Sequence, residues 1–191
     1  GKSGAPITIR GVSSSGNPMK AQFVGTRASD WKPGRAQGNE LFRLKNGASH
    51  LTFTDLSMKN FGNGVFRFGG NLDKISIKRV SASNVTRFIE NTASGSRTAS
   101  VNGLAVEDVA VSGYSRDAIR LQYNTQNVTL KDIVGDSKGQ DGGMYIHGVN
   151  LRGTVHNVVL DRVTMKNNVG RGSSKQYWNG DGFLAEGGVY N

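Results

Sequence analysis

Leu51-Thr52-Phe53-Thr54-Asp55-Leu56 returns along the chain four more times. The later copies are Ile75-Ser76-Ile77-Lys78-Arg79-Val80, Leu104-Ala105-Val106-Glu107-Asp108-Val109, Val128-Thr129-Leu130-Lys131-Asp132-Ile133 and Val158-Val159-Leu160-Asp161-Arg162-Val163. Successive copies start 24, 29, 24 and 30 residues apart, so the unit is constant and only its connectors change. A period of this size marks stacked repeats, none of which can bury its apolar face alone. Within each copy, the apolar-polar-apolar start is the period-two signature of a strand. The pattern therefore predicts an all-β fold, a right-handed parallel β-helix of about six to seven coils.

The composition fits such a chain. Its 191 residues include 27 Gly and only 3 Pro, and Gly and Asn tolerate the left-handed backbone that sharp corners need. No stretch holds apolar residues at helical spacing for three turns, and none approaches the roughly 20 apolar residues of a membrane span. The absence of Cys excludes disulfides and thiolate chemistry. We expect one domain over residues 1–191. Ile7, Ile9 and Val12 form an opening triplet with almost nothing before it, and Gly187–Asn191 stops where a strand should begin. Both features lead us to expect a chain cut at each end.

Each coil also carries a first strand ahead of its triplet. Phe42, Phe66, Phe88, Ile119, Met144 and Phe183 are expected to stack in one interior column. The matching outward column then reads Arg43, Arg67, Ile89, Arg120, Tyr145 and Leu184. Stacked coils bring equivalent residues about 4.8 Å apart, so like charges in one column repel unless an anion or a loop carboxylate such as Glu40 or Glu90 faces them. Arg43, Arg67 and Arg120 are thus candidate substrate-binding residues. Two other outward columns read as structural: Thr54, Lys78, Glu107, Lys131, Asp161 alternates in sign, and Asp55, Arg79, Asp108, Asp132, Arg162 is largely self-compensating. The net charge of +10 suits an anionic partner, although a basic solvated surface without a partner has the same charge.

His50, His147 and His156 lack metal-ligand spacing and read as ordinary loop or turn histidines. The stretch Lys175-Gln176-Tyr177-Trp178-Asn179-Gly180-Asp181-Gly182-Phe183-Leu184-Ala185-Glu186 carries the most specific chemistry. An acidic side chain on a corner between two glycines is exposed and firmly aimed, as a hard cation such as Ca²⁺ requires. Tyr177 and Trp178 offer flat faces to a sugar ring, while Arg171 and Lys175 can meet a carboxylate. Glu186 is a second acidic residue on the same stretch.

Asn179-Gly180-Asp181-Gly182-Phe183 resembles the Asn-x-Asp-Gly-Phe corner of right-handed β-helix pectate lyases, closest to polysaccharide lyase family nine. The opening Gly4-Ala5-Pro6-Ile7-Thr8-Ile9-Arg10-Gly11 is also similar to the start of many such enzymes. The resemblance implies that Asp181 is a Ca²⁺ ligand, with Glu186 a further candidate by proximity. It also implies β-elimination on a uronate-containing polysaccharide by a basic side chain. The catalytic base is unassigned, with Lys175 and Arg171 as candidates and Lys138 in a neighbouring insertion. The family's remaining acidic ligands and its lysine lie on a later coil that has no counterpart in this sequence.

The expected partner is an anionic polysaccharide rather than nucleic acid or membrane, acted on by a monomer in the periplasm or outside a bacterial cell. Two alternatives stay open. One is a non-catalytic carbohydrate-binding or adhesin-type β-helix using Trp31, Trp178 and the Arg column. The other is an epimerase or hydrolase on the same fold, for which Asp141, Asp181 and Glu186 are the available carboxylates.

Overall fold

A computed structural model describes residues 1–92, 99–140, 145–169 and 180–190. Its strands are β1 (Ile7–Arg10), β2 (Ala21–Val24), β3 (Phe42–Leu44), β4 (Ser49–Phe68), β5 (Leu72–Asn91), β6 (Val101–Tyr114), β7 (Asp117–Gln122), β8 (Thr125–Asp136), β9 (Ile146–Arg152), β10 (Val155–Lys166) and β11 (Gly180–Glu186). Every ladder between them is parallel. The sheet winds most of the way round one axis, and the fold is an all-β parallel β-helix.

The triplets stack in the expected register. Leu51, Ile75, Leu104, Val128 and Val158 follow one another, as do Phe53, Ile77, Val106, Leu130 and Leu160. Leu56, Val80, Val109, Ile133 and Val163 complete the set. Ile7 and Ile9 of β1 extend the first two columns below β4. Val12 does not extend the third. The chain leaves the stack in a small hairpin closed by the Val12–Pro18 bridge, and Ala21 of β2 takes the place against Leu56.

The long strands turn at corners without leaving the ladder. Residues at fixed places on successive coils adopt left-handed backbone: His50, Asp55 and Asn60; Lys74, Arg79 and Asn84; Gly103, Asp108 and Gly113; Asn157, Arg162 and Asn167. Within each coil these corners are five residues apart, so each face of the helix is one short extended segment. Such backbone costs on the order of 1–3 kcal/mol for a residue other than Gly. Ladders of side chains across the coils offset that cost. Asn84 Nδ2 donates to Asn60 Oδ1 at 2.9 Å, and Asn157, Asn127 and Asn102 form a similar chain. Arg79 clasps Asp55 through two hydrogen bonds of 2.7 and 2.8 Å, and Arg162 clasps Asp132 in the same way. Lys78 and Lys131 flank Glu107 at 3.6 and 3.8 Å. Both charged columns therefore hold coils together.

The first-strand column departs from expectation by one residue. A register shift between Asn63 and Phe66 moves the β5 partner of Phe66 to Ile89. The interior column is Phe42, Phe66, Ile89, Ile119, Val149 and Phe183. Phe88 is buried but packs its ring edge against Phe66 from a neighbouring place. Val149 occupies the position expected of Met144, which lies outside the described residues. The outward column consequently reads Arg43, Arg67, Glu90, Arg120, Asn150 and Leu184. A carboxylate separates Arg67 from Arg120 in place of Ile89, and Asn150 stands where Tyr145 was expected.

Phe66 is fully buried among the rings of Phe42, Phe53 and Phe88, with centroids 5.1, 5.1 and 5.4 Å away. Removing it empties the centre of this aromatic layer. Phe66→Ala is expected to destabilise the fold by about 3–5 kcal/mol, read as a lower urea midpoint with little change in slope.

Candidate functional site

The first-strand face carries a second column beside the Arg43 one, and it is polar throughout. Asn63, Arg87, Asp117, His147 and Asp181 follow one another from coil to coil. Asn63 pairs with Arg87, Asp117 with His147, and His147 with Asp181 in the backbone ladders. Arg87 Nε donates to Asp117 Oδ2 at 3.0 Å, and Arg87 Nη1 reaches Asn63 Oδ1 at 3.3 Å. His147 Nδ1 lies 2.9 Å from Asp117 Oδ1, while its Nε2 lies 3.3 Å from Asp181 Oδ2.

Burial changes steeply along this column. The Asp117 side chain is 0% exposed, that of His147 5%, and that of Asp181 38%. A buried carboxylate is costly unless surrounded by donors. Asp117 has them: Arg87 and His147 as above, and Asn150 Nδ2 at 2.9 Å. Burial opposes ionisation of Asp117, but the His147 hydrogen bond, the Arg87 charge, the Asn150 hydrogen bond and the Arg120 charge outweigh it and hold the pKa down at about 2. An ionised Asp117 can only accept, so His147 Nδ1 carries a proton and donates it. The free valence of the ring, Nε2, then faces Asp181.

Two further contacts fix the imidazole. Tyr145 stacks on it with centroids 4.8 Å apart, and Arg116 lies 4.6 Å from the centre of the Tyr145 ring while donating to its hydroxyl at 3.0 Å. Glycine decides how closely the last two coils meet. A Cβ on Gly148 would clash with the Gly182 carbonyl and with the Met165 side chain. Bare backbone at Gly148 allows β11 to close on β9 and brings Asp181 to His147.

The strap of residues 25–40 closes one side of this region. Arg27 is buried without a carboxylate partner among the described residues, donating instead to Thr86 Oγ1 at 2.9 Å and Ser115 Oγ at 2.7 Å. Burial lowers its pKa to about 10. Its guanidinium covers Trp31 at 4.1 Å, so Trp31 is a buried packing residue and offers no face to a sugar.

The residues singled out by sequence are placed as follows. Arg43 is exposed; Arg67 pairs with Glu40; Arg120 lies 4.0 Å from Glu90, which Arg87 also approaches at 3.5 Å. Arg171, Lys175, Tyr177, Trp178 and Asp141 lie outside the described residues. Asp181 is in a strand against His147, whereas Glu186 pairs with Arg152. Five residues of extended strand separate Asp181 from Glu186, about 16 Å at an odd spacing that points them to opposite faces. They do not converge on one ion. Among the described residues no group of three His, Cys, Asp or Glu side chains could hold a metal. His147, read from sequence as a loop or turn residue, is a buried strand residue at the centre of the site.

The chain matches no protein-family model, no curated protein and no solved structure.

Asp117 gives a pH prediction. Its folded pKa, about 2, lies below the unfolded value of about 3.9, so its contribution to stability is complete above pH 4 and is lost as pH falls through 2. Asp117→Asn is expected to cost about 2–3 kcal/mol at neutral pH and to flatten the stability curve across that acid window, as measured by urea unfolding at a series of pH values. Gly148→Ala is expected to push β11 off β9, seen as faster amide exchange through Gly180–Glu186.

Proposed function

We propose that this chain acts on a uronate-containing polysaccharide by β-elimination. The observation that carries the reading is the buried polar column in which Arg87, Asp117 and His147 lead to the half-exposed carboxylate of Asp181. Elimination needs a base at the sugar C5 and positive charge near the C6 carboxylate to acidify that proton. Arg116 and Arg120 stand just before and within β7, the strand that supplies Asp117. The net charge of +10 favours encounter with a polyanion. Such polymers are met outside the cytoplasm, so the reading carries a secreted or periplasmic location with it.

Hydrolysis is less well supported. It needs two available carboxylates across the scissile bond. Among the described acidic groups of this face, Asp117 is fully buried, Glu90 lies between Arg87 and Arg120, and Glu186 is held by Arg152. Asp181 is the one left open to a substrate. A purely adhesive role loses support from the burial of Trp31.

The test is to incubate the protein with pectate, alginate and glycosaminoglycans and follow the ultraviolet absorbance of unsaturated uronate ends. A steady rise on at least one polymer, proportional to protein concentration, is expected. New reducing ends without that absorbance would convert the assignment to a hydrolase. Retention on the polymer with no cleavage would convert it to a binding module.

A further inference from the structure

Asp181 is the residue for which the family resemblance implies calcium, and among the described residues its surroundings do not suit calcium. Ca²⁺ takes six to eight oxygen ligands. The Asp181 carboxylate instead faces an imidazole nitrogen at 3.3 Å, and the nearest carboxylate behind that ring, Asp117, is fully buried and already engaged by Arg87, His147 and Asn150. The nearby strand residue Glu186 is held by Arg152. This donor set is built to manage a proton.

We propose that Asp181 is a calcium-independent catalytic base, with His147 and Asp117 as its positioning residues. This rests on the elimination reading above. Asp117 accepts from His147 Nδ1 and so fixes the ring with Nε2 pointing at Asp181. A proton taken by the carboxylate lies beside the ring nitrogen, 3.3 Å away. In the reaction the C5 proton passes to Asp181. The electrons of the C5–H bond form the C4=C5 double bond, the C4–O bond breaks, and the leaving oxygen takes a proton from water. Asp181 later returns its proton to solvent, so atoms and charge balance.

The experiment has two arms, both on the full chain. In the first, product formation is measured with chelator, with added Ca²⁺, and in Asp181→Asn, His147→Asn and Asp117→Asn. The rate is expected to change less than twofold with chelator or Ca²⁺. It should fall by about 10²–10⁴-fold in Asp181→Asn, whose half-exposed side chain leaves the fold intact, and by at least tenfold in the other two. A rate abolished by chelator, restored by Ca²⁺ and retained in His147→Asn overturns the relay while leaving elimination standing. In the second arm, the ¹⁵N shift of His147 Nε2 is followed with and without Ca²⁺. A shift that responds to Asp181→Asn and ignores Ca²⁺ supports the relay, even where no tested polymer is cleaved and the elimination reading fails. A saturable Ca²⁺ response that disappears in Asp181→Asn overturns it.

Discussion

Everything in this molecule depends on a backbone constraint at the corners. A parallel ladder can change direction without breaking only if every coil enters the left-handed region at the same place. The residues at those places must accept that conformation or be held in it. Asn, Asp and Gly accept it at modest cost, whereas Arg79, Lys74 and Arg162 do not do so intrinsically. Arg79 and Arg162 are held there by paired hydrogen bonds to the corner aspartates of the preceding coil, Asp55 and Asp132. The salt bridges at these corners are therefore part of the turn chemistry. Their exposure to solvent makes them weak as isolated ion pairs, but their geometry keeps the register that buries the apolar columns.

Register then decides what chemistry the fold can present. In a stack of parallel strands, each side chain is assigned neighbours above and below it by the lengths of the intervening loops. Charges that meet in this way must alternate in sign or repel. One outer column obeys this rule in water, with Lys78, Glu107 and Lys131 in sequence. Arg87 and Asp117 obey it in the interior, where the contact is stronger and a missing partner would be far more damaging.

The sequence pattern reveals the fold because the triplets are apolar, periodic and rigidly spaced. Both charged columns are legible for the same reason. The first-strand face is not, and the cause is local. The irregularity between Asn63 and Phe66, with Gly64 in left-handed backbone, inserts an offset that sequence alignment by apolar residues cannot detect. A slip of one residue exchanges inner and outer faces, so Phe88 was expected where Ile89 stands and Glu90 was missed in the outward column. His147 was missed for a related reason. Its partners are 30 residues behind it and 34 ahead, and neither neighbour in sequence hints at them. One signal was present: Arg87, Asp117 and His147 recur at 30-residue steps, close to the intervals between triplets. Charged residues separated by one coil length deserve the same search as apolar ones.

The Asp181 motif shows what a short resemblance can and cannot transfer. The expected Gly-Asp-Gly corner is strand in the structure, and β11 brings the acidic side chain to the edge of the stack whatever the group it meets there. What it meets is set by the coil beneath. Here that coil supplies an imidazole already tethered through its other nitrogen, at a point where bare glycine backbone lets the strands approach closely. The same stacking that pairs charges for stability has carried a polar column outward to a carboxylate open to solvent. The gradient from a fully buried Asp117 to a half-exposed Asp181 separates this column from the others. A buried charge fixes the ring, the ring fixes the direction of the proton, and only the last group is within reach of a substrate.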